Sequence, residues 1–295
     1  MAELFLKYGY APDKEAIDKN LQIISSRLEE VANPEVLKTC FSIMDLTTLR
    51  TNDTAEGVEK LVRKVNNFAK EYPSYPLPAS VCVYSNFAKV VSSVRENPEL
   101  HTTCVSACFP SSQSFLPVKL LECEMAVKDG ADEIDVVLPL STFLAGDYDA
   151  VRTELRAIRE TVDKAGEGRK ITLKVILETG LLVSPELIAD ASFLAMEEGA
   201  DFIKTSTGKV EVNATPMAAY VMCECIKAFY GKTGRKVGFK PAGGVSSAME
   251  AVCYYTIVNT VLGKEWLNKD LFRFGVSRLA NNLLSAIEQK TVSVF

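Results

Sequence analysis

Histidine and tryptophan are the residues this chain most lacks, and the scarcity of histidine excludes more. One histidine is present among 295 residues, His101. Cys104 and Cys108 stand four apart with His101 near them, but a single histidine is a poor basis for a zinc site, and no metal is expected. The eight cysteines (Cys40, Cys82, Cys104, Cys108, Cys123, Cys223, Cys225 and Cys253) form no CxxC pair and lie mostly in apolar surroundings. They read as buried thiols of a reducing cytosol rather than a disulfide framework, so a cytoplasmic protein is expected. No apolar run approaches the roughly 20 residues needed to span a bilayer. The start, Met1-Ala-Glu-Leu-Phe-Leu-Lys7, lacks the parts of a signal peptide. The net charge of -5, with acids and bases interspersed, excludes a general nucleic-acid surface. No Pro- or Ser-rich linker divides the chain. Tyr72-Pro-Ser-Tyr-Pro-Leu-Pro78 sits between a helix and a strand and reads as an extended loop.

What is present is a large apolar fraction, 47%, enough for one barrel or two smaller domains. Residues 1–37 read as an amphipathic helical preface, with Leu21, Ile24, Leu28 and Val31 at helical spacing. It is expected to cover the barrel's bottom or an oligomer surface. The sequence leaves the oligomeric state open. From residue 38 to 295, strands and helices alternate. Eight strand-like runs occur at Phe41–Leu46, Ala79–Tyr84, Thr102–Phe109, Glu133–Leu138, Ile171–Leu177, Asp201–Thr205, Val237–Pro241 and Phe272–Val276. Helix-compatible stretches lie between them, such as Ala55–Tyr72, Val118–Asp129, Tyr148–Ala165, Pro185–Glu198, Pro216–Tyr230 and Ser247–Leu262. Alternation argues for a parallel sheet, and eight units favour a closed (β/α)8 TIM barrel. An open doubly wound sheet is the fallback. The loop around Cys104–Ser114 follows no simple pattern. His101, at a strand entrance, is expected at the barrel's bottom in a surface or structural role.

Charges interrupt several of these strands. Asp45 ends the first, Asp135 lies in the fourth, Lys174 in the fifth, Lys204 in the sixth and Lys240 in the seventh. A charge inside an apolar strand is costly unless paired. Two acids and three bases can pair in a common interior, and five charges from five strands at one barrel end point to a functional site more than to a structural ion-pair cluster. The following loops carry phosphate-binding features: Thr207, Gly208 and Lys209 after the sixth strand, Gly243 and Gly244 after the seventh, and Gly275, Ser277 and Arg278 in the eighth unit. Barrels commonly hold phosphate in their last loops, at a helix N-terminus. Lys204 and Lys240 are both candidates for an imine-forming nucleophile. Burial and a neighbouring cation favour the neutral amine, and on adjacent strands each lysine is expected to depress the other. Spacing alone does not say which one reacts.

Five segments carry a resemblance: Met44-Asp-Leu-Thr-Thr-Leu49, Gly130-Ala-Asp-Glu-Ile-Asp-Val-Val137, Leu173-Lys-Val-Ile-Leu-Glu-Thr-Gly180, Gly199-Ala-Asp-Phe-Ile-Lys-Thr-Ser-Thr-Gly-Lys-Val210 and Val237-Gly-Phe-Lys-Pro-Ala-Gly-Gly-Val245. From about Ile43 to about Leu284 the chain resembles the deoxyribose-phosphate aldolase family, class I aldolases on a (β/α)8 barrel that work through a lysine Schiff base. The resemblance implies Lys204 as the imine-forming residue, Lys240 as the lysine that tunes it, Asp135 as the proton-shuttling carboxylate, and Lys174 and Asp45 as a supporting shell. Phosphate contacts carry over to Gly208, Lys209, Gly243, Gly244, Gly275 and Ser277. Cys82 lines the site by the same resemblance; a buried core thiol is the other reading.

Two positions depart. Arg278 stands where the family has a small hydroxyl residue, either strengthening phosphate binding or turning outward as an ordinary helix charge. The sequence finishes Ser-Val-Phe295 where well-known members have a tyrosine that aids proton transfer, and slower turnover is expected. The implied reaction is reversible cleavage of 2-deoxy-D-ribose 5-phosphate to D-glyceraldehyde 3-phosphate and acetaldehyde in deoxyribose phosphate catabolism. No cofactor is implied, since the iminium replaces a Lewis acid. The implied partners are small phosphosugars and aldehydes. A related aldolase on another phosphosugar and a non-catalytic sugar-phosphate-binding barrel are the alternatives.

Overall fold

The computed structural model describes residues 4–295. Eight parallel strands form the centre: β1 Met44–Thr47, β2 Ser80–Tyr84, β3 His101–Ser106, β4 Glu133–Val137, β5 Thr172–Ile176, β6 Phe202–Lys204, β7 Gly238–Lys240 and β8 Phe274–Val276. From β1 to β7 each strand pairs with the next, and β1 also pairs with β8. Isolated bridges, Phe239 to Phe272 and Ala242 to Gly275, join β7 to β8 and complete the ring. The expected (β/α)8 barrel is the fold, and the open sheet is excluded.

Strand alternation divides each strand between two environments. Ile134, Val136, Leu173, Val175, Ile203 and Phe239 belong to the apolar layer under the outer helices, all at most 1% exposed. The alternate residues Glu133, Asp135, Lys174, Lys204 and Lys240 point into the barrel and bond to one another.

Some boundaries differ from expectation, for local reasons. Phe41 is helical, not strand. Asn33 caps the amides of Glu35 and Val36, and Pro34 starts a helix that runs through Ser42. The third strand stops at Ser106, because Ala107 and Cys108 both take positive φ values, 55° and 60°. The loop they open is held from outside. Glu122 accepts from the Cys108 amide at 2.7 Å, and Lys119 donates to Ser112 at 3.0 Å and Glu154 at 2.6 Å.

The N-terminal residues pack on the flank made by the helices Pro185–Glu197, Pro216–Thr233, Ala248–Val261 and Leu279–Glu288. Tyr8 stacks on Phe193 with centroids 4.4 Å apart, and Asn20 donates to the Tyr220 hydroxyl at 2.9 Å.

Candidate active site

The interior charges form one connected cluster. Asp135 is its hub. Its Oδ2 accepts from Lys204 Nζ and Lys240 Nζ, each at 2.8 Å, and its Oδ1 accepts from Lys174 Nζ at 2.8 Å. Lys240 also donates to Asp45 Oδ2, and Lys174 lies 2.5 Å from Glu133 Oε2. All five charges expected to meet do meet. Asp45, Asp135, Lys174 and Lys240 are fully buried, and Lys204 is 3% exposed. The backbone fixes the two central lysines side by side. Lys204 and Lys240 are register partners, and the Thr205 amide donates to the Lys240 carbonyl at 3.0 Å. Thr205 Oγ1 tightens the junction, accepting from the Ala242 amide at 3.0 Å.

Two members went unnoticed in the sequence, Glu133 and Arg273. Arg273 Nη1 donates to Asp45 Oδ1 at 2.6 Å and Glu133 Oε2 at 3.1 Å, and Nη2 donates to Glu133 Oε1 at 2.8 Å. Glu133 also accepts from Thr103 at 2.9 Å and meets His101 Nδ1 at 2.6 Å. The period-two spacing of Glu133 and Asp135 was the signal for the first. A guanidinium flanked by Phe272 and Phe274 was the signal for the second. His101, half-buried as the first residue of β3, is thereby the foot of the cluster.

The two lysines have opposite electrostatics. Burial pulls the Lys204 amine below the usual lysine value; Asp135 opposes this and Lys240 adds to it. Burial acts on Lys240 too, but Asp135 and Asp45 outweigh it and hold its ammonium above the usual value. Depression was expected at both lysines, but the net shift is downward only at Lys204, because Lys240 has two carboxylates to offset it. Lys174 is likewise held up, burial being outweighed by Asp135 and Glu133. Asp135 stays well below the usual carboxylate range, the three lysines overriding its burial. Cys82, 1% exposed on β2, shares this field; burial raises its thiol, and Lys240 and Lys204 pull it back.

The expected phosphate loops are arranged unequally. Gly208, Lys209, Gly244, Ser277 and Arg278 are exposed. Thr207 is not available as expected. Its hydroxyl donates to Glu178 Oε2 at 2.5 Å and its amide to Glu178 Oε1 at 3.1 Å, so both donors are used to shape the loop. Lys209 Nζ donates to the Leu49 carbonyl at 2.5 Å, linking the loop after β6 to the one after β1. Gly243 has φ 75°, and a Cβ there would lie 2.6 Å from Asn213 Oδ1. At Gly275 a Cβ would lie 2.7 Å from Ala242 Cβ and 3.2 Å from Lys240 Cε, so the glycine makes room beside the lysine. Seven helices start under a side-chain cap from Asp13, Asn33, Thr54, Asp147, Ser184, Thr215 or Ser247. The helix Leu279–Glu288 starts at Arg278 with no such cap and no acid in its first turn. Open amides beside an exposed guanidinium suit an anion.

A profile of the DeoC/LacD family aldolases matches residues 39–253. The chain belongs to this family. It is 40% identical to the deoxyribose-phosphate aldolase of Homo sapiens over 84% of this chain and 78% of that protein. It is 39% identical to that of Mus musculus, over the same shares. Among solved structures it matches a tetrameric deoxyribose phosphate aldolase from Aeropyrum pernix, with TM-score 0.67 and 26% identity over 93% of this chain and 98% of that one. An aldolase activity at the end of a TIM barrel is therefore the frame for the cluster. Phe295 lies outside it. Its ring packs on Phe41 and Phe68, 6.2 Å and 5.4 Å between centroids, and Asn281 holds its backbone from both sides.

Proposed function

We propose that this chain is a class I aldolase that cleaves 2-deoxy-D-ribose 5-phosphate reversibly to D-glyceraldehyde 3-phosphate and acetaldehyde. The observation that carries the reading is the contrast within the lysine pair. Lys204 is the lysine in the cluster whose amine is lowered, and its one carboxylate partner is shared with a lysine that keeps its proton. A neutral, buried amine beside a proton-rich network is what imine formation needs.

The substrate's phosphate binds at the uncapped helix after β8 with Arg278 and Ser277, the glycines 243, 244 and 275, and Gly208 and Lys209 at the facing loop. Its C1 aldehyde then reaches Lys204. The amine attacks C1 to give a carbinolamine, which loses water to become an iminium. Removal of the C3 hydroxyl proton breaks the C2–C3 bond, and the bonding pair moves into the iminium to leave an enamine. Glyceraldehyde 3-phosphate departs. The enamine carbon takes a proton, and hydrolysis releases acetaldehyde and restores the amine. Asp135, joined to both amines through one oxygen, is placed to pass protons between them. The names of the human and mouse relatives support this choice of substrate, and a role in deoxyribose phosphate breakdown goes with it.

The test is retro-aldol turnover on 2-deoxyribose 5-phosphate with borohydride trapping by acetaldehyde and peptide mapping. The expected label is on Lys204. Turnover without any trapped lysine, or a label confined to Lys240, overturns the mechanism.

A further inference from the structure

The cluster's charges do not cancel as ordinarily ionised. It holds three carboxylates (Asp45, Glu133 and Asp135) against four cations (Lys174, Lys204, Lys240 and Arg273), all at most 3% exposed. One excess proton in so dry a space is the easiest to lose. Which base gives it up follows from the contacts. Arg273 does not deprotonate in proteins, and it bonds to Asp45 and Glu133. Lys174 bonds to Glu133 and Asp135, with Asp45 at 3.8 Å. Lys240 bonds to Asp45 and Asp135. Among the described residues Lys204 has Asp135 alone, and shares the accepting oxygen with Lys240.

We propose that Arg273 and Glu133, neither of which bonds to Lys204, are positioning residues that set how many protons the cluster holds and so leave Lys204 as the uncharged amine. Arg273 acts by contributing a charge that cannot be lost. By occupying Asp45 and Glu133 it uses up carboxylate that would otherwise stabilise a third ammonium. Glu133 acts in the opposite sense, keeping Lys174 charged. The groups facing Lys204 are Asp135 on β4, Lys240 on β7 and Cys82 on β2. Behind them stand Asp45, Lys174, Glu133 and Arg273, with His101 on β3 touching Glu133. This inference rests on Lys204 being the imine-forming residue.

The sign of the effect is testable because the two residues carry opposite charge. The readout is the initial rate of borohydride trapping of the full chain with acetaldehyde, followed against pH in a His101→Gln background so that the imidazole does not contribute. In Arg273→Met three cations face three carboxylates, Lys204 retains its proton, and the acid limb moves up. Trapping at neutral pH falls by up to about tenfold for each pH unit of that move. In Glu133→Gln four cations face two carboxylates, and the limb moves down. The double variant again has one excess cation and returns toward the parent profile. Arg273→Lys keeps a cation and stays nearer the parent than Arg273→Met does. Limbs that do not move, that move the same way in both single variants, or that worsen in the double variant overturn the proposal. If Arg273→Met fails to fold, the downward move in Glu133→Gln decides alone. A parent protein that traps no aldehyde overturns the aldolase reading instead.

Discussion

Lys204 and Ile203 are chain neighbours on one three-residue strand, both buried, and they live in different media. Ile203 faces outward into the layer that joins sheet to helices. Lys204 faces inward among carboxylates and other amines. One face of the strand is stabilised by removing apolar surface from water, about 25 cal/mol per Å². The other gathers buried charges whose desolvation roughly offsets their attraction. The outward face holds the barrel together, and the inward face spends some of that stability on an amine with an unusual proton affinity. Substitutions at the two positions should therefore fail in different ways.

The largest expected effect is at Lys204. Lys204→Met removes the proposed nucleophile and should abolish aldehyde trapping, with turnover falling by about four orders of magnitude or more. The fold should survive with an unchanged or raised melting temperature, because a buried, weakly compensated amine is replaced by an apolar chain of similar length. Kinetics and thermal melts on one preparation check both halves. A variant that loses activity by unfolding would erase the distinction between the two faces.

Ile203→Ala should do the reverse. A fully buried side chain is cut back in a packed layer, at a cost of about 2–5 kcal/mol. Turnover per folded molecule should change little at temperatures where the fold persists. Denaturant melts measure the first, active-site titration by borohydride the second. A rate loss well beyond the folded fraction would mean that packing outside the barrel sets the position of Lys204.

These strands also show what could be read before the structure. Apolar runs alternating with helices made a parallel sheet buried on both faces legible, and their number, eight, favoured closure into a barrel. Asp135, Lys174, Lys204 and Lys240 were legible as charges inside apolar strands. Arg273 was passed over although it interrupts the eighth apolar run between Phe272 and Phe274; its partners, Asp45 and Glu133, come from distant strands that the sequence does not place beside it. Glu133 was passed over as a strand terminus. The division of labour between the two lysines was not legible either. It depends on Asp45 reaching Lys240 from β1, two strands away round the ring but 195 residues away in the chain. Thr207 was misjudged for the same reason: the carboxylate that takes its hydroxyl comes from the preceding unit, in Glu178.

At the mouth the comparison becomes finer, since Arg278 is exposed and, on the proposed function, bears on binding alone. Arg278→Ala should raise KM for a phosphorylated substrate by roughly tenfold, in keeping with loss of one charge-assisted contact. Maximal turnover, and KM for an unphosphorylated aldehyde acceptor, should stay near the parent values. Steady-state kinetics on both substrates read it. An equal change with both would turn Arg278 into an ordinary helix charge.

The smallest effect belongs to Phe295→Tyr. A tyrosine at this place would be expected to speed turnover if the tail delivered its hydroxyl to the reacting carbon. The structure puts the ring elsewhere, on Phe41 and Phe68, with Asn281 gripping the amide and carbonyl of Phe295 and the amide of Val294. The ring is half-buried, so an added hydroxyl can remain solvated, and stability should move by no more than about 0.5 kcal/mol. Turnover should also remain near that of the parent, because the anchors that hold residue 295 are unaltered. If turnover instead rises severalfold, the tail leaves its dock during the cycle. Weakening the dock by adding Asn281→Ala to the Phe295→Tyr variant should then raise it further.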